Sequence, residues 1–422
     1  MTDDPVVKRH RHLEQIAMVA LEAGRQLSET GAKSSVVSAG TKKIAEGLGA
    51  EHVYCRVGYA SLALTVTHGR NTITRMVEVG PPGVDMRLNH ELRELCLATA
   101  RGGFGLDEAA GRLRALGGEV PRHPRWLGAV AVGIACAAFG RLLGVDWQAV
   151  LPILCGSAAG QWLRASLVRR GVNVFVIATI VAFVTASLTG LGVSAAGSQM
   201  VPMAMTASVL LLVPGIPAMN AQTDIMEGYP TMGSARFVTV TMLLMFITLG
   251  LGAAQLLPLD GGDVLHLQHG LVHQAFFGAV AAAGFGVLFN FGPSQLGWSA
   301  AAGALTLTVR TAGLDLGWNL VVSSFVAAVT VAMAAELLRI APFEVMRPRS
   351  VLAVAGCIPL IPGSAATNWI IGLLELTAQN PVDPAASLQS AAIAGLRVVF
   401  TVGAIGSGLA MVRTLVRHSE FP

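Results

Sequence analysis

The sequence predicts an α-helical polytopic membrane protein, with ten transmembrane helices in two inverted five-helix repeats, preceded by a small α+β cytoplasmic domain. Three observations carry that prediction. The composition is too apolar for water, the charges divide the chain near residue 120, and a motif returns after 148 residues.

Of the 422 residues, 53% are hydrophobic and 13% charged, against about 25% charged in an ordinary globular domain; mean hydropathy is +0.62. Residues 1–125 hold 17 of the 29 Lys and Arg and 14 of the 25 Asp and Glu. This partition predicts a soluble domain at 1–120, a first membrane repeat at 121–262 and a second at 263–422. Net charge is only +4, without a basic run, so no nucleic-acid partner is expected. The opening MTDDPVVKRHRHLEQIA has no apolar stretch, and no cleaved signal peptide is expected. Five cysteines are scattered without a CxxC pair, so neither a metal nor a disulfide is expected, and no cofactor is implied.

In the soluble segment, Leu13, Ile16, Ala17, Ala20, Leu21, Gly24 and Leu27 keep the helical period, and Gly31 is placed to end that helix. A second helix is predicted over 34–48. VYCRVGY, SLALTVT and NTITRMVEV then alternate as strands, with His-Gly-Arg-Asn as a hairpin turn. Pro81-Pro82-Gly83 ends the sheet, and helices resume near 88–99 and 106–116. Ser61, His68 and Asp85 could be assembled on paper into a hydrolytic triad. No nucleophile-elbow sequence accompanies them, and they read as a surface serine, a turn histidine and a helix N-cap. No catalytic residue is assigned and an enzyme is not expected; a membrane-anchored enzyme acting through this domain is the weaker alternative.

From Trp126 onward, ten apolar segments follow: 126–143, 147–163, 172–191, 200–229, 233–257, 271–289, 296–311, 317–338, 351–376 and 387–412. Each suits a hydrocarbon slab of about 30 Å. Arg122 and Arg125, then Arg164, Arg169 and Arg170, then Arg339, Arg347 and Arg349, then Arg413 and Arg417 all fall on one side of a ten-span arrangement. The positive-inside rule makes that side cytoplasmic, with both termini there, in a cell inner membrane.

Shifting the chain by about 150 residues brings GAVAVGIACAAFG (128–140) onto GAVAAAGFGVLFN (278–290), and Asn173 onto Asn319. The sharpest match sets Pro214, Gly215 and Asn220 against Pro362, Gly363 and Asn368, all at an offset of 148, which Glu227 and Glu375 share. Five spans is an odd number, so the second copy enters from the opposite face, as in transporters built for alternating access. Pro-Gly interrupts a helix. Two such breaks at mid-membrane must face protein or a wet cavity, and the helices restarting after them offer N–H groups to a carboxylate. Pro214, Gly215, Asn220, Pro362, Gly363 and Asn368 are therefore the candidate substrate-binding residues.

Asp224, Glu227 and Glu375 follow the breaks as proton-coupling or structural acids, since ionisable residues within a bilayer are costly. Glu227 and Glu375 read equally as interfacial helix ends. Arg236 and Arg397 are candidate partners for these acids or for a substrate carboxylate, or else solvated helix ends. His266, His269 and His273 could share a helical face, but read as a hydrated outer loop beside Asp260 and Asp263.

LEAGRQLSETGAKSSVV…IAEGLG, TRMVEVGPPGVDMRLNHELREL and LLLVPGIPAMNAQTDIMEGYPTMGSAR together resemble the threonine/serine exporters over nearly the whole chain. The resemblance implies a cytoplasmic region joined to ten spans, exporting small hydroxy amino acids against protons; split relatives of the family are linked to dicarboxylate export. It carries over only to Pro214, Gly215, Asn220, Asp224 and Gly228, because the second half keeps PGxxxxN but lacks the following Asp and Gly-Tyr-Pro. The partners implied are a small-molecule substrate, protons and membrane lipid, with a homo-oligomer possible.

Overall fold

The computed structural model describes residues 5–259, 270–340, 355–376 and 383–416. They divide into two compact units, one joining residues 1–122 to Asn220–Phe237, the other made of His123–Met219 and Val238–Arg417.

In the first unit, α1 (Pro5–Glu29) and α2 (Ser34–Gly47) lead into an antiparallel sheet of β1 (His52–Val57), β2 (Ser61–His68) and β3 (Asn71–Glu78), followed by α3 (Met86–Ala100) and α4 (Leu106–Glu119). The strands form where the sequence alternates, and the hairpin closes with His68 opposite Asn71. Leu62, Leu64 and Val66 are buried on the face that α1 and α2 cover, while Tyr54 and Met76 stay exposed. The heptad-like spacing of Leu13, Ile16, Ala17, Ala20, Leu21 and Leu27 fills the space between, all of them buried. Gly24 allows the close approach, since a Cβ there would lie 2.2 Å from Thr41 Oγ1. Met232 and Tyr229, from the distant segment of this unit, pack into the same core.

The second unit is helical: α5 (Arg125–Leu142), α6 (Val150–Arg169), α7 (Val174–Ala195), α8 (Val201–Val209), the start of α9 (Gly215–Met226), most of α10 (Pro230–Gln255), α11 (Leu271–Leu288), α12 (Pro293–Asp315), α13 (Leu320–Ile340), α14 (Gly363–Glu375) and α15 (Pro384–Val416). Among the described residues, six helices are long and apolar enough to cross a membrane: α5, α7, α10, α11, α13 and α15. The other four expected spans fall short for physical reasons. Gln161 and Arg164 dilute α6, and Arg310 with several Ser, Thr and Gly residues dilutes α12. The segments 200–229 and 351–376 are each divided at a Pro-Gly, and among the described residues neither holds a helix of spanning length.

Small residues set the packing, as in membrane bundles where backbones approach closely. Gly156 and Gly160 of α6 sit on Thr189 and Thr185 of α7, and Gly278 of α11 faces Gly303 of α12. Gly250 brings α10 against Thr179 of α7, and Gly408 brings α15 against Phe325 of α13. Asn173 and Asn319 both cap their helices, Asn173 accepting from Phe175 N two residues on and Asn319 from Val322 N three residues on.

Candidate functional site

The two breaks have one backbone. The 3-10 turn Leu210–Leu212 ends at Val213 with φ −63°, ψ 120°; the turn Ile358–Leu360 ends at Ile361 with φ −65°, ψ 124°. Extended geometry is what a residue before proline adopts. Gly215 N then donates to Val213 O at 2.8 Å, and Gly363 N to Ile361 O at 2.8 Å. A helix resumes on each side, with Ala218 N on Pro214 O and Ala366 N on Pro362 O, both at 3.0 Å. The prolines have no N–H to continue the ladder, so the chain must restart here.

The breaks also meet each other, reciprocally. A Cβ on Gly215 would lie 2.5 Å from Ile361 Cδ1, and one on Gly363 would lie 2.8 Å from Leu210 Cδ2 and 3.7 Å from Val213. A cavity of about 40 Å³ remains between them, lined by Phe139, Phe285, Phe289, Ile216 and Ile358 as well as the break residues. Pockets for small molecules run to about 300–1,000 Å³. This apolar gap is far smaller, so the breaks are closed on one another.

The polar candidates lie elsewhere. In the first unit, Asn220–Phe237 forms a helical hairpin, the end of α9 turning into α10. Its Gly-Tyr-Pro makes the turn: Gly228 takes φ +88°, Tyr229 N returns to Asp224 O at 2.7 Å, and Pro230 opens α10. Gly233 lets the two arms touch, since a Cβ there would lie 2.5 Å from Ala221 O.

This hairpin grips the link between α1 and α2 residue by residue. Asn220 Nδ2 donates to Gly31 O at 2.9 Å. Arg236 donates to Ala32 O at 2.9 Å and to Asp224 Oδ2 at 2.7 Å. Lys33 Nζ and Ser35 Oγ each donate to Glu227, at 2.5 Å. Ser34 N donates to Asp224 Oδ1 at 2.8 Å. Ser34 is the first residue of α2, and Lys33 at its N-cap gives no side-chain cap. Asp224 supplies that cap from 190 residues away, where a carboxylate also meets the positive end of the helix dipole. Asp224 is 0% exposed and both its oxygens are engaged.

A second set of bonds holds the link from its other side. Gly83 N donates to Glu29 O at 2.8 Å, and Asn89 Nδ2 to Thr30 Oγ1 at 2.9 Å. Gly31 has φ +88°, and a Cβ there would lie 2.6 Å from Gly83 O. The three stretches GAKSS, GPPGVDMRLN and NAQTDIMEGYPTMGSAR therefore converge on residues 29–35.

Other candidates are dispersed. Asn368 is exposed on α14 and Arg397 on α15. Glu375 closes α14, and its side chain lies outside the described residues, as do His266 and His269. His273 Nε2 lies 3.3 Å from Arg141, a buried guanidinium stacked 4.3 Å over Trp147, which the sequence did not single out. Asp85 caps α3 through Leu88 N, and His68 bonds Gly49 O, so the paper triad is not assembled.

A threonine/serine exporter family model matches residues 18–257, and a second threonine/serine exporter model matches residues 274–415. Two proteins named "Probable succinate transporter subunit YjjP" are similar to part of this chain. That of Klebsiella aerogenes is 25% identical over 236 residues, covering 56% of this chain and 91% of its own. That of Escherichia coli K12 is 25% identical over 239 residues, with the same coverage. An uncharacterized protein of Haemophilus influenzae is 26% identical over 147 residues, covering 35% of this chain and 47% of its own. No solved structure matches the chain. With one model covering more than half of the sequence and the other most of the remainder, the chain belongs to the threonine/serine exporter family.

Proposed function

We propose that the protein is a secondary active transporter of the inner membrane that exports small amino acids, threonine and serine first, in exchange for protons. The observation that carries this reading is the reciprocal contact of two helix breaks of one geometry, Gly215 on Ile361 and Gly363 on Val213, within a chain of the exporter family. Contacts that exchange partners in this way are what a two-fold relation between halves produces. In this reading the ten segments span the bilayer as two inverted repeats, with both termini cytoplasmic. Substrate enters when the breaks part, and the amide groups at the starts of α9 and α14 then receive its carboxylate. The apolar walls of the closed gap keep water and protons from leaking between cycles.

Uptake of labelled threonine by everted vesicles under an imposed pH gradient tests this directly. Accumulation that collapses with the gradient is expected. Flux indifferent to the gradient removes proton coupling, and absence of flux for both threonine and serine removes the substrate.

The similarity to the succinate-transporter subunits favours one second reading, dicarboxylate export by the same machine. Competition by succinate, with none by threonine, would select it.

A further inference from the structure

We propose that the link Gly31–Ser35 is a positioning element of the transporter, a clasp that holds the α9–α10 hairpin closed throughout the transport cycle. The proposal rests on the transport reading above and adds the part played by the soluble residues. Five consecutive residues of the link each meet the hairpin, through carbonyls at Gly31 and Ala32, side chains at Lys33 and Ser35, and an amide at Ser34. Contact at every successive residue fixes register and angle together, unlike a single surface ion pair, which is worth little.

The groups on the hairpin side are Asn220, Asp224, Glu227 and Arg236, all candidates for binding substrate or protons by sequence. The structure shows each already engaged with the link. Lys33 is only 8% exposed and Arg236 6%, and Met232 of the hairpin is part of the same apolar core as Leu21 and Leu62. An element seated by a shared core, a buried ion pair and a capped helix moves as one piece with its seat. The α9 residues from Asn220 and the start of α10 therefore move as one piece with α1 and α2. The four polar residues act by keeping α9 and α10 in register, not by visiting the substrate.

Covalent bridging in the full chain tests the clasp. Ser35→Cys with Glu227→Cys removes the Ser35–Glu227 bond and the Lys33–Glu227 pair, and flux of labelled threonine should fall roughly tenfold, the size of 1.4 kcal/mol. A short bis-methanethiosulfonate reagent should bridge the two thiols and return flux to within about twofold of wild type. Lys33→Glu should depress flux similarly, and Lys33→Glu with Glu227→Lys should restore it, because the reversed pair again sets opposite charges in contact. A bridged protein that stops transporting would overturn the proposal, for the clasp would then have to open in each cycle. Wild-type flux in Lys33→Glu, or failure of the pair to bridge, would overturn it as well. If the wild-type chain moves neither threonine, serine nor succinate, the transport reading fails, and the bridging yield alone then upholds or refutes the contact.

Discussion

Asp224 and Arg236 hold each other at 2.7 Å, with side chains 0% and 7% exposed, on two helices that turn at Gly228. Removing either partner leaves the other buried and uncompensated, a loss of about 3–5 kcal/mol. Asp224→Asn should therefore lower the unfolding midpoint and the yield of inserted protein, not only the rate of transport. Arg236→Met should do the same. The double variant Asp224→Asn with Arg236→Met should be more stable than either single one, because no orphaned charge remains. Thermal melts of the detergent-solubilised chain decide it, and additive losses would show that the pair is not coupled.

Asn220 and Asn368 stand at equivalent positions in the sequence but in different surroundings. Asn220 donates to Gly31 O, whereas Asn368 is exposed. Asn220→Ala should cost about 0.5–1.5 kcal/mol, the net worth of one hydrogen bond, and the protein should still insert. Asn368→Ala should leave the melting midpoint unchanged. Loss of flux in Asn368→Ala at wild-type stability would then report a substrate contact, whereas unchanged flux would remove Asn368 from the substrate path.

Gly31 and Gly69 both have positive φ, +88° and +58°. A Cβ at Gly69 meets open space, but at Gly31 it meets the Gly83 carbonyl at 2.6 Å. Gly69→Ala should cost about 1–2 kcal/mol for the left-handed backbone alone. Gly31→Ala adds an overpacking cost of about 1–3 kcal/mol and displaces the residue that Asn220 grips. Melts of the two variants separate the terms, and equal losses would refute the Gly83 contact.

Much of this was legible in the sequence because it rests on local signals. Alternation located the three strands, the 3.6-residue period located α1, and Pro214-Gly215 and Pro362-Gly363 marked both breaks to the residue. The sequence also pointed to Arg236 as a partner for a nearby acid. The seat of the hairpin was not legible. Asp224 caps Ser34 and Glu227 holds Lys33 across 190 and 194 residues, and no periodicity reports a contact of that separation. The run 200–229 read as one span broken at Pro214-Gly215, with Asp224 and Glu227 on the half-helix after the break, and nothing in the run pointed to Lys33 or Ser34. The signal that was available lay in the resemblance itself. The stretches around Lys33, Pro82 and Asp224 were picked out separately, and they turn out to be three sides of one contact.

Glu22 supplies a test by pH within the first unit. It accepts from Arg25 at 2.6 Å and from Gln26 at 2.7 Å, and Gln26 in turn donates to Leu113 O at 3.2 Å, tying α1 to α4. Burial raises the carboxyl, but the bonds from Arg25 and Gln26 outweigh it and hold Glu22 below its ordinary value of 4.5. The unfolded chain therefore binds this proton at a higher pH than the folded one. Its stabilisation is fully present above about pH 4.5, the unfolded value, and is lost as pH falls through the lower folded value. Glu22→Gln never carries the charge. The midpoint difference between wild type and Glu22→Gln should be largest near pH 7 and should shrink steadily toward pH 3. A difference that stays constant across that range would mean the ion pair contributes nothing, and one that grows on acidification would reverse the sign assigned to Glu22.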